Sequence, residues 1–137
     1  MAYLLGKDAK IYYGTAGTTA ATELVEVSDV TYDDDTAEID CTTRASGGFK
    51  STETGFSDIT LTFTIKVKSG DTGVAAILTA KQAKTAIALL CLDSSGGAGI
   101  DGDFKITKMS RKEGLEDPVT YDCTAKVNTA TRLPVYV

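Results

Sequence analysis

The sequence predicts a mainly β fold: an antiparallel β-sandwich or flattened β-barrel of about seven strands, with one flanking α-helix over residues 71–83. Three observations predict it. Ile59, Leu61, Phe63, Ile65 and Val67 fall on alternate positions, with Thr60, Thr62, Thr64 and Lys66 between them. A strand sends successive side chains to opposite faces, so this spacing makes one dry face and one wet face. Val119, Tyr121, Cys123, Ala125 and Val127 alternate in the same way with Thr120, Asp122, Thr124 and Lys126. A single segment has helical period: the Ala-rich run from Asp71 to Ala83 sets Val74, Ile77, Leu78 and Lys81 on one face, with Asp71 placed to cap the first turn.

Taken in order, Ala9 to Tyr13 reads as a strand, and the small, polar stretch Gly14 to Thr22 as a loop. Residues 23–32 favour a strand through Leu24, Val25, Val27, Val30, Thr31 and Tyr32. Asp33-Asp34-Asp35 reads as a turn, because Asp competes for ladder hydrogen bonds. Residues 37–43 then form the return strand of a hairpin. Residues 45–55 have no period and read as a loop. The organising strand 58–68 and the helix follow. Thr85 to Leu92 is a continuous apolar run, which suits a strand buried on both faces. Asp93 to Gly99 is a Gly-rich loop. In the next segment Phe104 and Ile106 share one phase and Met109 has the other, so a β-bulge is expected near Lys108. Lys112 to Pro118 is a turn, 119–127 the last strand, and the final ten residues an extended tail.

With 137 residues the chain is expected to be one domain, residues 1–137, large enough for a core without staples. There are 13 glycines, two prolines and no histidine. The absence of histidine excludes the Ser-His-Asp and Cys-His arrangements and histidine zinc sites. Cys41, Cys91 and Cys123 are odd in number and far apart, so they read as small core or near-core residues rather than as a disulfide framework or a metal site. The loop from Asp93 to Asp103 offers oxygen ligands but lacks the EF-hand spacing, and Gly96-Gly97-Ala98-Gly99 has no following Lys-Ser/Thr, so neither a calcium site nor a phosphate loop is expected. Lys7, Asp8 and Lys10 interrupt the short apolar start, which argues against a signal peptide, and no apolar run approaches the ~20 residues of a membrane span. No catalytic residue, cofactor or metal is expected.

The net charge of −5 is unevenly spread. Residues 23–40 carry Glu23, Glu26, Asp29, Asp33, Asp34, Asp35, Glu38 and Asp40 with no Lys or Arg. Residues 104–112 carry Lys105, Lys108, Arg111 and Lys112 with no acid. Such opposite blocks either neighbour each other within one subunit or form complementary surfaces between subunits.

The order of these features resembles the tail tube protein of long-tailed bacteriophages, of the short prophage type, over the whole chain. The resemblance is carried by Leu5-Gly6-Lys7-Asp8-Ala9-Lys10-Ile11-Tyr12-Tyr13-Gly14, by Val27-Ser28-Asp29-Val30-Thr31 leading to Asp40-Cys41-Thr42-Thr43-Arg44, and by the sequence of long alternating strand, Ala-rich helix, apolar strand and closing strand pair. The tube protein of type VI secretion is similar. The resemblance implies a non-enzymatic structural subunit that forms rings of six. The rings stack into a hollow tube, through which DNA passes without sequence-specific binding. It implies a place in the virion tail after assembly in the bacterial host cytoplasm, contacts with other tail proteins and none with a membrane. Loops and termini then reach the neighbouring ring, and residues 44–56 are the choice for the inter-ring hairpin. The expected subunit interface is Asp33, Asp34, Asp35, Arg44, Gly47, Gly48, Phe49, Lys50, Lys105, Lys108, Arg111 and Lys112. The rival reading is a monomeric β-sandwich module that binds carbohydrate or protein. Such modules usually present aromatic platforms, and this chain has no tryptophan.

Overall fold

The computed structural model describes residues 2–137. Its strands are β1 (Lys10–Thr15), β2 (Thr22–Glu23), β3 (Val27–Asp40), β4 (Thr52–Lys66), β5 (Ile87–Leu92), β6 (Gly99–Lys112), β7 (Thr120–Val127) and β8 (Val135–Tyr136), with α1 (Thr72–Ala83) between β4 and β5. They form one curled antiparallel sheet in the order β2-β1-β5-β6-β7-β4-β3, and β8 pairs with β6. The expected β class, the flattened-barrel shape and the flanking helix are all present.

The dry phase of β4 explains the core. Ile59, Leu61, Phe63 and Ile65 are buried, and Phe63 pairs with Cys123 while Ile65 pairs with Tyr121 of β7. Ile87 and Leu89 of β5, Ile100, Phe104 and Ile106 of β6, and Val74 and Ile77 of α1 complete the cluster. The Asp71 carboxylate accepts from the Gly73 N–H at 2.9 Å and caps α1, as its position in the sequence suggested. The bulge also falls where the phase change put it: Ile106 pairs with Ala125 and Lys108 with Thr124, which leaves Thr107 extra.

Two strand assignments are corrected. Asp33-Asp34-Asp35 is not a turn. These residues lie mid-strand in β3 and pair with Thr60, Ile59 and Asp58. The preference of Asp for turns is local and weak. It is overridden because β3 is an edge strand whose aspartates reach water while β4 supplies a long ladder. The two expected short strands, 23–32 and 37–43, are therefore replaced by β2 and one continuous β3. The irregular stretch is shifted toward the N-terminus too: β3 ends at Asp40, and Thr52 to Gly55 already belong to β4, so residues 41–51 make the connection.

The C-terminal tail is not free. Arg132 reaches two buried carboxylates of β6, and Val137 exchanges both backbone hydrogen bonds with Gly99. Of the cysteines, Cys123 is buried and Cys91 half-buried, but Cys41 is exposed, against the core reading. It sits at the far end of the β3–β4 hairpin, where there is no core to enter.

Candidate functional site

The longest unsupported element is the β3–β4 hairpin. β7 covers β4 from Lys66 to Thr60, whereas β4 from Ile59 back to Thr52 pairs with β3 alone. At ~3.4 Å per residue, the two-stranded arm extends about 27 Å past its support. It carries apolar side chains into solvent: Ile39 is 49%, Phe49 77% and Phe56 94% exposed. Gly55 fits this surface closely, since a Cβ there would lie 3.2 Å from Ala37 Cβ and 3.4 Å from Ile39 Cδ1.

The tip is built by its own hydrogen bonds. Thr43 N–H donates to Ser46 Oγ at 3.1 Å, which starts the short 3-10 turn Arg44–Ser46. Ser51 N–H donates to Thr42 Oγ1 at 2.9 Å, and Cys41 N–H to the Ser51 carbonyl at 2.9 Å. Hydrogen bonds from Thr42 hold the Asp40 carboxyl below its usual range. Gly47 (φ +65°) and Gly48 (φ +86°) reverse the chain in a conformation that side-chain-bearing residues avoid. Arg44, Gly47, Gly48, Phe49 and Lys50 are thus brought together at one exposed tip. Residues 44–56 are the tip and the first strand residues of a longer hairpin rather than a hairpin of their own.

The charged blocks occupy one face. Reading across the ladders, Asp33 is followed by Thr60, Lys126 and Lys105, and Thr31 by Thr62, Thr124 and Lys108. This is the wet face of β3, β4, β7 and the second half of β6. Asp33 and Asp35 lie at one end of it, and Lys105, Lys108 and Lys112 at the other. Two residues of the expected interface leave this face. Asp34 has the opposite phase and accepts a hydrogen bond from the Tyr136 hydroxyl, which pushes the phenol up to about 12. Arg111 pairs with Tyr121 on the core phase and forms an ion pair with Glu113 at 3.0 Å.

The two blocks do not neighbour each other within the subunit, so that reading is corrected. β4 and β7 stand between them, and three strand spacings come to about 14 Å, well over the ~8 Å Debye length at physiological salt. The intervening charges are paired locally: Lys126 with Asp58 at 3.2 Å, and Asp122 with Lys112 of the basic block at 3.0 Å. The Thr64 hydroxyl, at 2.8 Å, and Lys112 hold the Asp122 carboxyl below its usual range.

Both ends of this four-stranded face are open edges. β3 is the last strand of the sheet. β5 pairs with β6 only as far as Phe104, so Lys105 to Lys112 has no strand on that side. An open edge carries a row of free backbone donors and acceptors.

The buried ionic cluster went unforeseen. Arg132 Nε donates to Asp103 Oδ1 and Nη2 to Asp101 Oδ1, both at 2.9 Å. Gly17 N–H and the Thr19 hydroxyl donate to the same two carboxylates. The signal for it was the pair of acids flanking Gly102 between Ile100 and Phe104, because carboxylates in an apolar strand need a cation. With its oxygens occupied in this way, the cluster staples the tail and the 15–22 loop to β6. No group of three or more metal-ligating side chains occurs among the described residues.

No family model matches the chain, and no curated protein matches it. Solved structures do. A chain from the tail of an empty gene transfer agent particle, refined with C6 symmetry, matches with a TM-score of 0.81 at 15% identity, covering 98% of this chain and 99% of that one. A chain from the virion of a native gene transfer agent particle matches with a TM-score of 0.77 at 13% identity, covering 98% and 99%. The SPP1 tail tube matches with a TM-score of 0.73 at 17% identity, covering 91% of this chain and 76% of that one. At such identities the likeness establishes the fold, which is the one these tail structures share.

Proposed function

We propose that this chain is the structural subunit of a phage-type tail tube: six copies close into a ring, and rings stack into a hollow conduit for DNA. The observation that carries the reading is the unsupported arm, with Ile39, Phe49 and Phe56 in water. Exposed apolar groups gathered on a projecting element mark a surface that is covered in the working state. The fold shared with tail structures points the same way.

The open edges supply the ring contact. A ring repeats one heterologous contact, in which a patch meets a different patch on the next copy. Here the β3 edge, with Asp33 and Asp35, meets the β6 edge of the next copy, with Lys105, Lys108 and Lys112. Joining the edges makes the wet face continuous around the ring. α1 packs on the other side of the sheet and takes the larger radius, so the threonine-rich face lines the lumen. The pairing of Lys126 with Asp58 and of Lys112 with Asp122 there leaves fewer free cations to hold phosphates, which suits passage rather than binding. No catalytic group, cofactor or membrane contact is needed. The place of action is the virion tail, after assembly in the bacterial cytoplasm and alongside other tail proteins.

The test is size-exclusion chromatography followed by negative-stain microscopy of the purified chain at rising concentration. Rings or tubes are expected. A monomer at millimolar concentration, with no higher species, would overturn the reading in favour of a monomeric binding module.

A further inference from the structure

The arm leaves the barrel at one rung of the ladder. Asp34 opposite Ile59 is the first β3–β4 pair that β7 does not flank, and no β4 residue between Ile59 and the tip is buried. At this rung the body of the subunit holds the ribbon from both faces. On the wet face Lys126 of β7 pairs with Asp58 at 3.2 Å. On the opposite face the Tyr136 hydroxyl donates to the Asp34 carboxylate. Among the described residues no other side-chain hydrogen bond or ion pair joins residues 34–59 to the rest of the subunit. Tyr136 is itself anchored. It pairs with Ile100 of β6, its neighbour Val137 exchanges backbone hydrogen bonds with Gly99, and Arg132 ties down the chain just before it. A Cβ on Gly102 would lie 3.1 Å from Pro134 Cβ, so the bare glycine lets this strap lie close on β6.

We infer that Tyr136 and Lys126 form a two-sided clamp that fixes the direction of the arm in the free subunit. A ribbon of two strands has little stability of its own and bends most easily out of its plane. Restraints on opposite faces, one on each strand, oppose bending in both senses. The lever is long: a swing of about 10° at the root moves the tip of the arm by about 5 Å. The two halves of the clamp differ in kind. Lys126 and Asp58 are an exposed ion pair, which salt screens. The Tyr136 bond joins a neutral donor to a carboxylate and keeps the phenol protonated, so salt touches it little. The strap is therefore the half that persists at high salt. One consequence rests on the tube reading: an arm already held in its working pose loses less freedom when it is covered, which strengthens assembly without any new contact.

The clamp is tested on the free subunit, so the result does not depend on whether rings form. Nitroxide labels on the native, exposed Cys41 and on Thr79→Cys of α1, in a Cys91→Ala background, report the distance from arm to body by pulsed electron spin resonance. The parent chain gives one narrow distribution. Tyr136→Phe and Asp34→Ala each widen it about twofold, because the arm magnifies motion at its root. The two together widen it no further, since they remove the same bond. Asp34→Asn keeps an acceptor for the hydroxyl and keeps the narrow distribution. Lys126→Met widens it at low salt, and at high salt matches the parent chain. An unchanged width in Tyr136→Phe would overturn the clamp. So would Asp34→Asn behaving as Asp34→Ala, or a widening seen only with a lowered melting temperature, which is general loosening. In the assembly assay Tyr136→Phe forms tubes several-fold more slowly. Narrow and widened distributions as described, with no rings from the parent chain, would keep the clamp and remove the tube reading alone.

Discussion

Arg132 and Asp103 are joined at 2.9 Å, Nε to Oδ1, with the Asp103 side chain wholly enclosed. Asp103→Ala leaves a guanidinium facing one carboxylate and a cavity, and Gly17 N–H without its acceptor. Breaking one side of a buried pair costs about 3–5 kcal/mol. The triple variant Asp101→Asn, Asp103→Leu and Arg132→Met, which removes all three charges of the cluster, is expected to recover part of that loss. Urea unfolding midpoints check the order: single variant lowest, triple variant between it and the wild type.

The two phases of β4 make a second contrast. Ile65→Asp places a carboxylate in the core opposite Tyr121 and is expected to abolish folding, at several kcal/mol or more. Thr64→Asp faces water, but it replaces the donor to Asp122 with a like charge, and is expected to cost about 1 kcal/mol. Thermal melts of the two variants decide whether the core phase is the one described.

Lys84 ends α1 in the left-handed region, φ +58°, and its N–H donates to the Ala80 carbonyl. Glycine adopts this conformation without the Cβ penalty. Lys84→Gly is therefore expected to stabilise the fold by about 1 kcal/mol, read as a raised melting temperature.

Burial pushes the Cys123 thiol up to about 12, from a value near 9 in the unfolded chain. The folded state therefore holds this proton more tightly, and its contribution to stability is complete below pH 9 and is lost as pH rises toward 12. Cys123→Ala is expected to flatten the fall in stability across that window. With a thiol reagent at pH 8, Cys41 is expected to react at once and Cys123 only on unfolding.

Ring closure through the charged edges predicts a salt-dependent rate. Lys105→Glu with Lys108→Glu is expected to slow assembly at low salt without lowering the melting temperature, and Asp33→Lys with Asp35→Lys on the same chain to restore part of it. Each exposed pair contributes only ~0–1 kcal/mol, so the extent of assembly at high concentration is expected to change little. Light scattering against time measures both. Arg111→Glu, on the other face, serves as the neutral control.

How much of this was legible in the sequence follows from where one face is dry. β4, β7, α1 and the bulge at Thr107 were readable because burial on one side writes a period into the residues. β3 was not readable, because beyond Tyr32 neither of its faces meets the core, and no burial period marks a ribbon in water. Three aspartates then suggest a turn where pairing with β4 makes a strand. The two charged blocks were readable in the sequence, yet their division between two faces was not: Asp34 and Arg111 differ from their neighbours by one residue of phase. The anchoring of the tail by Arg132 depends on acids about 30 positions away in sequence, which no local pattern joins.

The way the arm is rooted also decides how the subunit bears load. Tension entering at Phe49 runs down β3 and β4 together, and leaves the hairpin through the ladder between Thr60–Lys66 and Thr120–Lys126. The hydrogen bonds of an antiparallel ladder lie across the strands, so a pull along β4 loads all of them at once in shear instead of opening them one by one. A rod made of such subunits resists stretching with its whole width and yields late and abruptly.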